Sequence, residues 1–237
     1  MTTVTIALAM LRQRLTSPLR LVLLGATFAT AWASGSLMRS LAPLDGAAGM
    51  FALVLAAGAI GQEVASGTLT LTFARPLTRA AYVFGRWGGA TLFATALAAV
   101  LEAVTLMGMA ARGGPLPGGG EIAALALEGL LNAGATAAVL VMMSTFVNGL
   151  GDFAIWALAV MGAGLVQTIG NFKQWPWLVR VASELEATLQ PKVHLGWLFG
   201  TGDPQAYLLI VTLSTTAAAL AVAVWVLNRK ELSYAAG

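Results

Sequence analysis

Six long apolar runs constrain this 237-residue chain more than any other feature of its sequence. A membrane-spanning helix needs roughly 20 consecutive, mainly apolar residues. The runs are Leu19–Met38, Ala47–Gln62, Trp87–Ala111, Ile122–Val147, Phe153–Ile169 and Gln205–Leu227. Only 10% of the residues are charged, against roughly 25% in a soluble domain. The sequence therefore predicts an all-α integral membrane protein with six transmembrane helices, folded as a single domain over residues 1–237.

The placement of lysine and arginine predicts which side of the membrane each connection occupies. When both termini are placed on the side of residues 63–86, that side holds eight basic residues and the opposite side five. Connections on the cytoplasmic side carry the excess of such residues. We therefore expect cytoplasmic N and C termini, in the cytoplasmic (inner) membrane of a bacterium.

The first 18 residues carry an apolar stripe with helical spacing. Val4, Leu8, Leu11 and Leu15 lie on one helical face, and Ser17-Pro18 ends the pattern. This predicts an amphipathic helix in the membrane interface. The alternative is an ordinary cytoplasmic extension of the following helix.

Residues 170–203 form the one long connection predicted on the outer side. Its apolar stripe has helical spacing and consists of Leu178, Val181, Ala182, Leu185 and Leu189. Tryptophans flank the stripe, as is typical of a membrane–water boundary. We expect an amphipathic helix that lies on the outer leaflet or caps the bundle. A loop helix that only joins the fifth span to the sixth is the alternative.

The cytoplasmic stretch 63–86, EVASGTLTLTFARPLTRAAYVFGR, is more patterned than a simple connection needs to be. A short segment begins at Gly67-Thr68 and is stopped by Arg75-Pro76. Its apolar side chains, Leu69, Leu71 and Phe73, are expected to be exposed. Three arginines, Arg75, Arg79 and Arg86, could pair with acidic groups of a protein partner or with anionic lipid. The stretch therefore predicts a docking surface; alternatively, its leucines lie in the interface and its arginines only set the orientation.

Few groups in the chain can perform chemistry. Cysteine is absent, histidine occurs once, and no Gly-x-x-x-x-Gly-Lys-Ser/Thr sequence is present. We therefore expect neither an enzyme nor a bound metal or cofactor. Glu102 lies near the middle of the third apolar run, where a carboxylate is costly unless it is paired, hydrated or protonated. It is a candidate for the translocation path or a subunit contact; a hydrogen-bonded or protonated glutamate facing a neighbouring helix explains it equally well.

A longer pattern within residues 63–86 resembles a known family. Glu63, Gly67-Thr68-Leu69, Ala74-Arg75-Pro76, Arg79, Tyr82 and Gly85-Arg86 are similar to the loop after the second helix in permease subunits of the ABC type 2 exporter family. The N-terminal segment resembles the interfacial helix of that family, and Asn228–Leu232 resembles its basic-acidic ending. Two positions depart from the family pattern: Thr70 replaces a common glutamate, and Arg86 replaces a common lysine.

This resemblance implies that residues 67–75 form a coupling helix that docks in a groove of a separate ATP-binding-cassette ATPase subunit, which would bind ATP and Mg. The implied coupling residues are Glu63, Gly67, Thr68, Leu69, Leu71, Phe73, Arg75, Pro76, Arg79 and Arg86. Other implied partners are a second permease copy or homologue and membrane lipid, but no nucleic acid. The implied function is export. Two alternatives remain: a non-transporting scaffold that recruits a cytoplasmic partner, and an ion-coupled carrier with Glu102 as its proton site.

Overall fold

The structure is a computed structural model. It describes residues 3–38, 41, 44, 46–74, 77–113, 116–190, 192–200 and 206–230. These residues form α1 (Thr3–Leu15), α2 (Pro18–Met38), α3 (Ala47–Ala56), α4 (Gly61–Ala65), α5 (Thr68–Phe73), α6 (Arg79–Ala111), α7 (Gly119–Phe146), α8 (Gly151–Lys173), α9 (Pro176–Leu189), the 3₁₀ helix Gly196–Phe199, and α10 (Ala206–Arg229). No strand occurs among them, so the all-α prediction is confirmed.

Five helical segments are long and apolar enough to cross a membrane, judged by length and composition. They are Ala47–Ala65, which combines α3 and α4, together with α6, α7, α8 and α10. α2 contributes a shorter apolar stretch, Pro18–Ala33. A multi-pass membrane protein follows from these segments.

α7 occupies the centre of the bundle and packs against α3, α6 and α10. Small residues permit close approach here: the Trp87 indole of α6 donates a hydrogen bond to the Gly134 carbonyl of α7 at 2.8 Å. One apolar core joins α3, α6 and α7 around Phe51, Leu101 and Leu140. A second core, described with the candidate site below, surrounds α5.

α1 packs along the beginning of α6. Ile6 is buried, and Ala7 lies directly on Gly89, where an added Cβ would come within 3.1 Å of the Ala7 Cα. Of the predicted apolar stripe, Val4 and Leu8 are exposed on the opposite side, and the side chains of Leu11 and Leu15 lie outside the described part. α1 is a helix separate from α2, with the boundary at the expected Ser17-Pro18. Its place in the membrane interface remains a prediction.

α9 runs back along α8. Near its beginning, Val179 contacts Gly170 at the end of α8, where an added Cβ would lie 2.8 Å from the Val179 side chain. At its other end, the Leu189 carbonyl accepts a hydrogen bond from the Trp156 indole, early in α8. The two helices are therefore antiparallel neighbours. The expected helix is present, and it buries Ala182 and Leu189. Whether it lies on the outer leaflet, caps the bundle or only joins the fifth span to the sixth remains a prediction.

Candidate docking site around α5

The connection between α4 and α6 contains a separate short helix. Gly67 adopts the left-handed conformation, with φ of 71°, which costs a residue with a Cβ roughly 1–2 kcal/mol more than glycine. α5 then runs from Thr68 to Phe73, and the Thr70 hydroxyl donates to the Gly67 carbonyl at 2.7 Å. A helix is thus present within residues 67–75, beginning at the Gly67-Thr68 pair. Arg75 and Pro76, which were expected to end it, lie outside the described residues.

One side of α5 is fixed to the bundle. Leu69 is only 2% exposed and belongs to the second core, with Tyr82 from α6 and Leu220 and Leu227 from α10. Phe73 is half-buried, and its ring meets the Tyr82 ring edge-on at 5.3 Å. The expectation that Leu69 is exposed is therefore wrong, and that for Phe73 holds only in part. α5 is therefore packed onto the bundle through Leu69, in the second core, and Phe73, on Tyr82.

The other side of α5 is open. Leu71 is 72% exposed, and Ser66 and Thr68 beside it are also exposed. A single exposed leucine is ordinary on a protein surface. Here, however, it lies on a short helix whose opposite side is buried in the second core. Leu71 is thus the one apolar side chain of the predicted three that a partner could bury without first displacing it from the core.

Glu63 and Arg86 form a buried ion pair that fixes α4 to α6. Arg86 Nη2 contacts Glu63 Oε1, and the Tyr82 hydroxyl donates to Glu63 Oε2 at 2.6 Å. The Arg86 guanidinium also lies over the Tyr82 ring, 5.2 Å from its centroid. Both charged side chains are buried, so neither can meet a partner while this pair is intact. The expectation that Arg86 pairs with external acids is wrong; the two residues instead position the approach to α5.

Arg79 connects the beginning of α6 to the end of α10. Its Nη1 donates to the carbonyls of Leu227 and Lys230. The free carbonyls at a helix C-terminus carry partial negative charge, which favours a cation there. Its guanidinium also approaches the Phe73 ring, at 5.9 Å. Arg79 thus binds within the chain, and the end of α10 lies next to α5.

The second apolar run is interrupted, which the sequence reasoning missed. α3 ends at Ala56, residues 57–60 leave helical geometry, and α4 begins at Gly61. Gly58 at the break has φ of 66°. Non-helical backbone inside a membrane is tolerated only where protein or a water-filled cavity satisfies its polar groups.

Side chains of α7 and α8 supply the missing acceptors at this break. The Gly58 N–H donates to Asp152 Oδ2 at 2.7 Å. The Ile60 and Gly61 N–H groups both donate to Ser144 Oγ, at 2.9 and 2.8 Å. Asp152 and Ser144 are fully buried. The break is therefore a built feature that joins α4 to the end of α7 and the beginning of α8.

Arg20 closes the same break from α2. Its Nη2 donates to Gln62 Oε1 at 2.9 Å and lies 3.4 Å from the Ala57 carbonyl. The charge of Asp152 attracts it electrostatically. The sequence offered two signals for this cluster: Gly58 and Gly61 within an apolar run, and an aspartate just before another. No sequence signal indicated that these residues lie close together in the fold.

Glu102 lies in the bundle, away from residues 63–86 in sequence. It is buried on α6 and interacts electrostatically with Glu128 of α7, and no hydrogen bond to it is found within the described residues. The structure therefore does not join it to the α5 site, and its role stays a prediction.

Polar contacts connect α4 to α6 through Glu63 and Arg86, and connect the break and α4 to α2, α7 and α8. In the described ranges, no group of three His, Asp or Glu residues is placed to hold a metal. No protein-family model matches the sequence, and no curated protein matches it at a significant level.

Proposed function

We propose that this chain is the membrane permease subunit of an ATP-binding-cassette exporter of the type 2 family that it resembles. In this proposal α2 also crosses the membrane, as the first of six spans, and both termini are cytoplasmic. Two copies, or one copy and a homologue, pair with separate ATPase subunits in the bacterial inner membrane. ATP and Mg are bound by those subunits, and the permease provides the path for the substrate.

The observation that carries this proposal is α5, a short helix buried along Leu69 and exposed at Leu71. A helix fastened in this way can transmit force, because its buried side moves with the bundle. Polar contacts of α4 and the break, next to α5 in the chain, extend to α2, α6, α7 and α8. α1 and the end of α10 lie at the same end of the bundle as α5, through Ala7 on Gly89 and Arg79 on Leu227; this supports a common cytoplasmic side for the termini and α5.

The test is a substitution at Leu71. The full chain is co-expressed with the ATPase encoded by its neighbouring reading frame, and ATP hydrolysis by the purified complex is measured in lipid. Burying a leucine contributes about 1.5–3 kcal/mol, so Leu71→Asp should weaken binding of the ATPase subunit roughly ten- to a hundredfold. The stimulation of hydrolysis at a fixed subunit concentration should fall accordingly. The matched control is Leu116→Asp, since Leu116 is also exposed, at 59%, but lies between α6 and α7.

Equal stimulation by the wild type and the Leu71 variant would contradict the proposal. The same assay separates the other two functions. A scaffold would bring down its partner without changing the rate of ATP hydrolysis. An ion-coupled carrier would transport without ATP and would depend on the carboxylate of Glu102.

A further inference from the structure

A cavity of about 190 Å³ lies within the bundle, at the end of α3 opposite to the break. α3 contributes Gly46 and Gly49 to its wall, α7 contributes Asn132 and Thr136, and α8 contributes Trp156; Lys192, after α9, completes it. Nothing in the proposed function uses this space. The segment after α9 is held against α7 by hydrogen bonds from the Val193 and Leu195 N–H groups.

Two nearly buried side chains direct unused hydrogen-bonding groups to this cavity. Asn132 is 3% exposed and Thr136 is 4% exposed. The Asn132 carbonyl oxygen accepts the Val193 N–H at 2.9 Å, which leaves its amide nitrogen as a donor. The Thr136 hydroxyl forms no hydrogen bond within the described residues. Neither atom is among the fully enclosed side-chain atoms that lack a partner, so both can donate to a molecule inside the cavity.

The beginning of α3 adds backbone donors at the same place. The first N–H groups of a helix have no acceptor within it and carry partial positive charge. α3 has ten residues, and its N-cap, Gly46, has no side chain to cap them. An exposed ammonium group, Lys192, stands at the rim. No carboxylate lines the cavity among the described residues; the nearest acid on α7, Glu128, instead accepts the Leu195 N–H.

We infer that this cavity binds a phosphate-type oxyanion, either free or as the headgroup of a lipid. Its donors come from α3, α7 and the segment after α9, and therefore converge from several directions. A tetrahedral group with three or four oxygens can accept from all of them, whereas a planar carboxylate offers only two. The volume corresponds to roughly six water molecules of about 30 Å³ each. Phosphate fits inside, and the acyl chains of a lipid would remain outside.

The decisive variant is Thr136→Val with Lys192→Gln. It removes a hydroxyl and a charge from the cavity, changes side-chain volume little, and leaves the Asn132 contact to Val193 in place. The matched control is Thr212→Val with Lys173→Gln, which alters a buried threonine of α10 and a lysine at the end of α8. Neither control residue lines the cavity.

Two probes distinguish the two sources of phosphate. The full chain in detergent is titrated calorimetrically with inorganic phosphate, with chloride as the salt control. The chain is also reconstituted in nanodiscs containing phosphatidylglycerol, or a galactosyl diacylglycerol that lacks phosphate, and retained lipids are counted by native mass spectrometry. We expect at least one phosphate-bearing probe to bind the wild type and the control equally, and to bind the cavity variant at least tenfold more weakly.

Loss of inorganic phosphate binding in the variant would identify a free anion. Loss of phosphatidylglycerol alone, with no retention of the galactolipid, would identify a lipid headgroup. The inference is overturned if the wild type binds neither probe, or if the cavity variant binds both as tightly as the control does.

Discussion

Near α5, Glu63, Tyr82 and Arg86 hold α4 against α6 through contacts between side chains. Farther along the bundle, Asn132 and Glu128 of α7 hold residues 192–195 differently. They accept the backbone N–H groups of Val193 and Leu195. Both arrangements fasten a connecting segment with buried polar groups. In the first arrangement the contacts join two side chains; in the second, side chains of α7 accept from backbone N–H groups of the segment.

This difference decides what happens when one partner is lost. A buried ion pair is weak evidence for stability, but removing one member leaves an uncompensated charge. Removing a side chain that accepts from backbone leaves a neutral N–H without a partner, which costs less free energy than an unpaired charge. Loss of one partner near α5 should therefore lower the stability of the whole region, whereas loss of one partner at residues 192–195 should increase local opening of that segment only.

The largest effect is expected from Glu63→Ala. It leaves the Arg86 guanidinium buried without its counterion, and this should lower the free energy of unfolding by about 3–5 kcal/mol. The double variant Glu63→Ala with Arg86→Met removes both charges and should recover most of that loss. Reversible unfolding in mixed detergent micelles measures both values. A loss below about 1 kcal/mol in the single variant would show that this pair does not differ from a neutral contact.

A smaller effect is expected at the break. An added Cβ on Gly61 would lie 2.4 Å from the Val147 carbonyl oxygen and 2.8 Å from that of Gly149. Because both are backbone atoms, Gly61→Ala must displace the connection between α7 and α8, at a cost of about 1–3 kcal/mol. Gly162→Ala in α8 is the control, since nothing lies within 4 Å of its added Cβ. If the two variants unfold alike, the close contact at the break is not a constraint.

The helical class and the start of a short segment at Gly67-Thr68 could be predicted from sequence, whereas a helix in that segment was implied only by the family resemblance. Apolar run length and the glycine-threonine start are local signals, and they depend on no partner. The burial of Leu69 could not be predicted, because a short helix has no period long enough to show which side is buried. Leu220 and Leu227, which belong to the same buried core, are about 150 residues away along the chain.

The break and the course of α9 could not be predicted for a related reason. Ser144 and Asp152 accept hydrogen bonds from backbone N–H groups of residues 58–61. Because backbone N–H groups are the same in every residue, the sequence does not show which segment these two side chains bind. Apolar periodicity identified α9 as a helix but not its neighbour. A lipid-facing stripe and a stripe that faces α8 have the same pattern in sequence.

The smallest effect, and the most direct test of the contrast, is expected from Asn132→Ala. It removes the acceptor of the Val193 N–H and should cost about 1 kcal/mol, equivalent to roughly fivefold faster hydrogen exchange at that amide. Exchange near Glu63 should not change. Asn171→Ala, at the exposed end of α8, should alter neither region. Asn132→Ala could instead lower the free energy of unfolding as much as Glu63→Ala does. Contacts to backbone and contacts between charged side chains would then contribute equally to global stability. The distinction between the two regions would then fail.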